Sequence, residues 1–285
     1  MSDLNLIKEL REKTGAGFVD CKNALNENNN NIDLSIDSLR KKGLAKASKK
    51  SSREAKEGAV GFYSNDNISI IIKINSETDF SAKSDTFLDF LDLLGSIALN
   101  QKELSSDLDH FMSIKYDEKS IADLLTEMIA KIGENIILSE LEVIEHKNNN
   151  VSYYVHNPYR KNVGKIISVI QYNSSSLDSE IIKFSKNICM HIAALKPESI
   201  DKDGLSKDLV DKEIKIQKEL ILSSGKPENV IEKILEGKMK KFYSEITLMN
   251  QNFVLDPEKT VKQVIDDFNI KYSFELINFK LFTLN

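Results

Sequence analysis

The residues best suited to act on another molecule lie in one short polar loop, residues 75–83. Asp79 supplies a carboxylate, which can interact with a cation, and Phe80 supplies a ring that can be buried in a partner. Thr78 and Ser81 flank this pair with hydroxyl groups. The loop stands between a strand-like run and a helical pattern, so we expect the pair at a strand-to-helix junction.

Two interpretations of this loop stay open from the residues alone. Thr78 or Asp79 could cap the following helix through its side-chain oxygen, and Phe80 could pack on the first turn of that helix. Alternatively, the acid and the ring are exposed and enter another molecule.

The elements around the loop occur twice along the chain, each time as a strand hairpin followed by a helix. The segments are 60–63, 68–74 and 86–99 in the first copy and 151–155, 165–172 and 178–195 in the second. Where the first copy has Glu-Thr-Asp-Phe, the loop 173–177 of the second has Ser-Ser-Ser-Leu. A requirement of the fold should occur in both copies, so the Asp-Phe pair is predicted to serve a function.

Composition narrows the class of protein. The chain has 285 residues, of which 41% are hydrophobic and 29% charged, as is typical of globular proteins with real cores. A net charge of -5 argues against a general nucleic-acid binder. Cys21 and Cys189 show no metal-type spacing, no apolar run approaches the roughly 20 residues that span a bilayer, and the start lacks signal-peptide features. We therefore expect a cytoplasmic protein without membrane contact.

Motifs for catalysis are missing together. The sequence has no phosphate loop, no dinucleotide-binding glycine motif and no nucleophile elbow. The histidines show no i, i+4 pairing with a glutamate, and they are His110, His146, His156 and His191. Cys189 and His191 lie in an apolar helical pattern that is typical of a core. We expect no catalytic residue, no cofactor and no metal site.

Periodicity predicts an α+β fold with an N-terminal three-helix domain and a core of two repeated α/β subdomains with antiparallel sheets. The predicted boundaries are 1–45 for the three-helix domain, 46–57 for a basic linker, 58–147 for the core N-subdomain and 148–285 for the core C-subdomain. A helical hairpin is inserted at about 205–242. The third N-terminal helix is predicted to end at Gly43, and Phe18, Val19 and Leu34 are assigned to the buried faces. The runs 244–254 and 272–282 are predicted to be strands, with a helix over 258–268 between them.

Two further segments have two interpretations each. The basic stretch 41–56 is either a solvated linker or a contact for an acidic or RNA-containing partner. The apolar stripe of the helical hairpin either closes on itself or pairs with another subunit.

Several motifs resemble one family, bacterial elongation factor Ts, in order along nearly the whole chain. They are Lys8-Glu9-Leu10-Arg11, the run from Lys13 to Gly17, Asp20-Cys21-Lys22, Asn75, Thr78-Asp79-Phe80, Ala82-Lys83, the run from Lys131 to Ile136, Met190-His191-Ile192-Ala193-Ala194, Ser224-Gly225-Lys226-Pro227 and the run from Glu236 to Phe242.

The resemblance implies a guanine-nucleotide exchange factor for the GTPase elongation factor Tu, in its GDP-bound and nucleotide-free forms. It implies a ubiquitin-associated-like N-terminal domain, which docks on the nucleotide-binding domain through the segment Thr14-Gly15-Ala16-Gly17. Thr78, Asp79, Phe80 and Ser81 would disturb the magnesium and phosphate site, and His156 would contact another domain of the partner. In some members the helical hairpin forms a homodimer.

Two departures from the family pattern affect these expectations. Ser81 stands where the family usually has valine, which weakens the apolar part of the segment. The hairpin of His156 has extra residues, 157–162, predicted to form a longer turn with His156 at its start. The runner-up function is an RNA- or ribosome-binding module that uses the basic linker; direct nucleic-acid contact is not expected under the family assignment.

Overall fold

The computed structural model describes residues 3–14, 16–147, 149–176, 178–224 and 228–284. The chain divides into two compact units. The first comprises Met1–Glu145, Asn157–Ile166 and Phe282–Asn285, and the second comprises His146–His156 and Ile167–Leu281.

The first unit begins with three helices and continues into a hairpin, a helix and a further strand. Its elements are α1 (Asp3–Thr14), α2 (Phe18–Glu27), α3 (Ile32–Lys50), β1 (Glu57–Ser64), β2 (Ile68–Ser76), α4 (Asp79–Ala82), α5 (Asp85–Leu99), α6 (Leu108–Ser113), β3 (Lys115–Tyr116), β4 (Lys119–Ser120), α7 (Ile121–Ile132) and β5 (Ile136–Glu145). β2 pairs antiparallel with β1 on one side and with β5 on the other. α5 buries Phe87, Leu91 and Leu94 completely in the core of this unit.

The three N-terminal helices have a small core of their own. It consists of Ile7, Leu10, Cys21, Ala24 and Leu25. The prediction that Phe18, Val19 and Leu34 are buried is wrong, because all three side chains are exposed. Cys21, Ala24 and Leu25 already form the buried face of α2, so its first turn stays in solvent.

The helix predicted to end at Gly43 instead continues to Lys50. A Cβ atom built on Gly43 would lie 3.2 Å from the Cβ atom of Ala130 in α7. Gly43 therefore serves a close approach of two helices rather than a helix end. Residues 46–50 of the predicted linker are helical, while the domain boundaries at 45 and 57 stay predictions.

The second unit contains a sheet, helices and the long helical hairpin. It contains most of β6 (Asn150–Arg160), which ends in the first unit, and most of β7 (Val163–Ser174), which begins in the first unit. The elements that follow are α8 (Ser179–Leu195), α9 (Lys207–Ser223), α10 (Glu228–Ile246), β8 (Asn252–Phe253), β9 (Asp256–Thr260), α11 (Val261–Phe268) and β10 (Phe274–Thr283). β7 has β6 and β10 among its neighbours. Phe184 of α8 stacks on Phe268 in the core. α9 and α10 are the predicted hairpin; its turn, residues 225–227, lies outside the described residues.

Two predictions about this part of the chain are wrong, and the start of one predicted helix is shifted. β6 continues through Asn157 and Pro158 to Arg160, so His156 stands in a strand and not at a turn. Within the described sheet β6 pairs with β7 alone, and an edge strand tolerates proline because its N–H side can face away from the ladder. The run 244–254 is not a strand, since α10 extends to Ile246 and a 3-10 turn follows. The helix predicted from 258 begins at Val261, where Thr260 and Gln263 form a capping box.

The fold class is confirmed. The chain is α+β, with an N-terminal three-helix segment and antiparallel sheets.

Candidate functional site

The loop after β2 folds into a one-turn helix with the acid and the ring at its start. We call residues 77–83 the Asp79–Phe80 turn. Thr78 is the residue that caps α4, with extended backbone angles (φ -126°, ψ 155°) and a hydroxyl oxygen that accepts the N–H of Ser81 at 3.3 Å. The capping function therefore belongs to Thr78 and leaves Asp79 and Phe80 available.

Phe80 points into solvent. Its side chain is 84% exposed, one of the highest values among the large apolar residues that the structure describes. The interpretation of Phe80 as a residue packed on the helix start is thereby excluded. Complete burial of a Phe side chain contributes about 1.5–3 kcal/mol, and this ring contributes only a small part of that to the stability of the fold.

Asp79 is half exposed and paired with a residue one helical turn later. Lys83 Nζ lies 2.7 Å from Asp79 Oδ2. The hydrogen bond from Lys83 lowers the pKa of Asp79, so the carboxylate is ionised at neutral pH. Lys83 also lies 5.9 Å from the ring centroid of Tyr159. Sequence analysis missed Lys83 as the partner of Asp79, although their i, i+4 spacing on a helical turn could have indicated it.

Glu134 holds the start of the turn from the loop between α7 and β5. Its carboxylate accepts the Thr78 N–H at 3.0 Å and the Thr78 hydroxyl at 2.7 Å. Burial opposes the ionisation of Glu134, but hydrogen bonds from Ser81 and Thr78 outweigh it and hold its pKa below the usual value. Glu134 lies in the run from Lys131 to Ile136, one of the motifs that carry the family resemblance, and the sequence alone assigned it no function.

The residues next to Thr78 and Glu134 join the same two segments, but here the carboxylate belongs to Glu77 and the donor to Asn135. Glu77 accepts the backbone N–H of Asn135 at 2.6 Å and lies 3.4 Å from the guanidinium of Arg53. The buried side chain of Asn135 donates to the carbonyl of Arg53 at 2.7 Å. We call Arg53, Glu77, Glu134 and Asn135, with Thr78, the loop clamp. It joins the Asp79–Phe80 turn to the segment that follows α3.

The basic segment 41–56 makes several contacts within the chain. Lys50 donates to the carbonyl oxygen of Gly133, and Arg53 contacts Glu77. Lys56 pairs with Glu54 at 2.7 Å. These three basic side chains of the segment thus have partners within the chain, and a contact with an RNA-containing partner stays a prediction.

The N-terminal motif lies at a cleft of about 180 Å³ within the first unit. Thr14, Ala16 and Gly17 line it together with residues of α3 and α7, and Gly15 lies outside the described residues. The Thr14 hydroxyl donates to the carbonyl of Leu10 at 2.6 Å and so closes the end of α1. Asp123 of α7 pairs with Arg40 of α3 at 3.1 Å across this cleft.

His156 belongs to the second unit, where its imidazole is exposed on β6. Its Nδ1 atom lies 3.4 Å from the Tyr154 hydroxyl. The structure thus brings Thr78, Asp79, Phe80 and Ser81 together, while His156 stands in another compact unit.

The remaining candidates for chemistry are core residues. Burial raises the pKa of the Cys189 thiol to about 12, so it is not a thiolate nucleophile at neutral pH. His191 is buried, with Nε2 lying 3.0 Å from Gln251 Oε1 and Nδ1 accepting the N–H of Val254 at 3.2 Å. Among the described residues, no group of three or more His, Cys, Asp or Glu side chains could hold a metal ion, and no helix has the length and apolar character to cross a membrane.

Comparison with known proteins gives consistent matches. Residues 77–285 match the family model for elongation factor TS. Elongation factor Ts of Rickettsia bellii is 39% identical over 271 residues, which cover 93% of this chain and 86% of that protein. Elongation factor Ts of Rickettsia prowazekii is 39% identical over 282 residues, covering 97% of this chain and 90% of that protein.

The fold and these matches place the protein among the factors of translation elongation. The chain belongs to the elongation factor Ts family.

Proposed function

We propose that the chain is a guanine-nucleotide exchange factor that binds elongation factor Tu–GDP and releases GDP by disturbing its magnesium and phosphate site. Thr78, Asp79, Phe80 and Ser81 are the segment that does this. The observation that carries the proposal is the 84% exposure of Phe80 on a turn whose backbone is held by Glu134. A large ring presented on a fixed turn is suited to burial in a partner.

The acid and the ring have different tasks. The Asp79 carboxylate is negatively charged and can compete for a magnesium ion or reposition its ligands. In the free protein Lys83 partly neutralises that charge, so Asp79 must exchange this ion pair for the partner. Phe80 contributes apolar burial, with less help from Ser81 than valine would give.

The turn alone cannot supply the binding energy that nucleotide exchange requires. The GTPase binds GDP and this protein in a linked way, so the factor by which the protein weakens GDP binding is also the factor by which GDP weakens binding of the protein. A weakening of GDP binding by roughly 10⁴-fold needs about 5.5 kcal/mol of differential binding energy. One buried Phe ring contributes about 1.5–3 kcal/mol. Additional contacts must supply the rest.

Two regions are suited to those contacts. The N-terminal segment Thr14–Gly17 docks on the nucleotide-binding domain, and the exposed Phe18 and Val19 next to it add apolar surface. His156 contacts another domain of the GTPase, supported by its exposure on β6.

The protein has no chemistry of its own in this proposal, and it acts in the cytoplasm, where translation elongation takes place. A second copy of the chain is a further partner, because α9 carries the exposed apolar side chains Ile216, Leu220 and Leu222. Direct contact with nucleic acid is not part of the proposal.

Titration calorimetry against elongation factor Tu tests it. We expect tighter binding to the nucleotide-free GTPase than to the GDP form, by the same factor as the loss of GDP affinity. Equal affinity for the two forms would overturn the proposal. Binding of RNA with a steep decrease at higher salt would support the RNA-binding alternative instead.

A further inference from the structure

Glu134 lies outside the candidate segment and contacts it through hydrogen bonds with Thr78 and Ser81. We propose that Glu134 is a positioning residue for nucleotide exchange, which fixes the direction of Asp79 and Phe80 by binding both donors of Thr78. This inference rests on the proposed exchange function and extends the functional site to the loop between α7 and β5.

The hydrogen bonds of Thr78 carry the argument. Both its N–H and its hydroxyl donate to Glu134, so the hydroxyl oxygen is left to accept from Ser81 N. Its carbonyl accepts from Ser76 Oγ at 2.9 Å and from the Ala82 N–H at 3.3 Å. Every polar group of the capping residue therefore has a partner, and Glu134 determines its rotamer.

A helix of this length needs such support. α4 has four residues, whereas isolated helices are marginal below about 12 residues because nucleation is unfavourable. Asp79 and Phe80 are its first two residues, so the orientation of their side chains depends on the conformation of the capping residue Thr78. Without the hydrogen bonds to Glu134, both side chains remain, but the turn should sample several orientations.

Glu134 is itself placed by features on both of its sides. α7 ends at Ile132, and the next residue, Gly133, has φ 85°, a left-handed conformation that favours glycine and ends the helix just before Glu134. On the other side Asn135 is buried and bonded to Glu77 and Arg53. The carboxylate of Glu134 therefore reaches Thr78 from a fixed backbone.

Glu134→Gln is the test, because it keeps the size of the side chain but turns one acceptor into a donor that faces the donors of Thr78. We expect the maximal rate of labelled-GDP release from elongation factor Tu, at saturating protein, to fall about tenfold. The concentration for half-maximal rate should change by less than about threefold, because the docking regions are untouched. Glu140→Gln is the matched control. Glu140 lies on β5, six residues after Glu134, and pairs with Lys73 of β2 at 2.7 Å; its replacement should leave the rate unchanged.

A double-mutant cycle separates positioning from general stability. In a Phe80→Ala background, Glu134→Gln should slow release further by clearly less than tenfold, because Asp79 alone is then left to direct. A full tenfold effect in that background, or a wild-type rate in the single variant, would overturn the inference. If Glu134→Gln does not fold, Glu134→Asp keeps the charge but withdraws the carboxylate from the donors of Thr78 and leaves the capping hydroxyl of Thr78 in place, and the same outcomes apply.

Amide hydrogen exchange on the free protein gives a readout without the GTPase. Glu134→Gln should speed exchange of the Ser81 N–H, whereas Glu140→Gln should not. Unchanged protection of Ser81 would contradict the positioning function. If the wild-type protein releases no GDP, the proposed exchange function fails, and this measurement still decides whether Glu134 orders the turn.

Discussion

Replacement of Phe80 by alanine is the perturbation that most sharply separates a partner-binding ring from a core ring. The side chain is 84% exposed, so only about a sixth of it is covered in the free protein. With about 1.5–3 kcal/mol for complete burial, its present contribution to folding is at most about 0.5 kcal/mol. For a chain of this size that shifts the unfolding midpoint by no more than about 1–2 °C.

The effect on exchange should be much larger than the effect on stability. If the ring is fully buried in the GTPase when GDP is released, its loss removes about 1.5–3 kcal/mol, which corresponds to a rate decrease of about tenfold to a hundredfold. The assay is stopped-flow release of labelled GDP from elongation factor Tu, with the unfolding midpoint measured on the same samples. Phe62→Ala is the contrasting control, because Phe62 is buried and should lower the midpoint.

Two results would refute this reasoning. A sharp decrease in the unfolding midpoint of Phe80→Ala would mean that the ring belongs to the core in solution. An unchanged exchange rate would mean that the ring is exposed but enters no partner.

Three further predictions follow from the same geometry. Asp79→Asn should slow GDP release less than Phe80→Ala does, and the loss relative to wild type should shrink when magnesium is chelated beforehand. A loss of the same size with and without chelator would assign the effect to shape rather than charge. Deletion of residues 1–50 should weaken binding to the GTPase in titrations. Circular dichroism should still show a folded core, because the strands and α5 bury a separate cluster, although the deletion exposes the face of α7 that packs on α3. Unchanged exchange at limiting concentration would exclude docking by this segment. Burial lowers the pKa of His191, so below about pH 6.5, the usual histidine pKa, the unfolded chain binds a proton that the folded chain lacks. Urea unfolding should therefore show lower stability as the pH falls below that value. His191→Gln should remove this pH dependence, and its persistence would assign it to other groups.

Much of the fold could be predicted because periodicity is a local property. The hairpin of β1 and β2 follows from two apolar runs around a turn signal, and the helix α5 follows from helical spacing. Their observed bounds lie within three residues of the predicted ones. The errors occur where packing overrides local signals. Gly43 was taken for a helix end, but it is needed where α3 approaches Ala130.

The candidate site could be located from the sequence but its arrangement could not. The absence of the Asp-Phe pair from the second copy pointed to residues 79 and 80. Whether Phe80 is buried depends on which residue caps α4. That residue is Thr78, whose N–H and hydroxyl bind Glu134, 56 positions further along the chain. No local pattern connects residues so far apart, although the glycine before Glu134 marked the end of a helix.

The most direct test of the central claim is the rate of labelled-GDP release from elongation factor Tu–GDP after mixing with the wild-type protein and excess unlabelled GDP. The account predicts a release rate that rises with protein concentration and saturates, far above the rate in buffer. A release rate that stays at the buffer value at every concentration would contradict it.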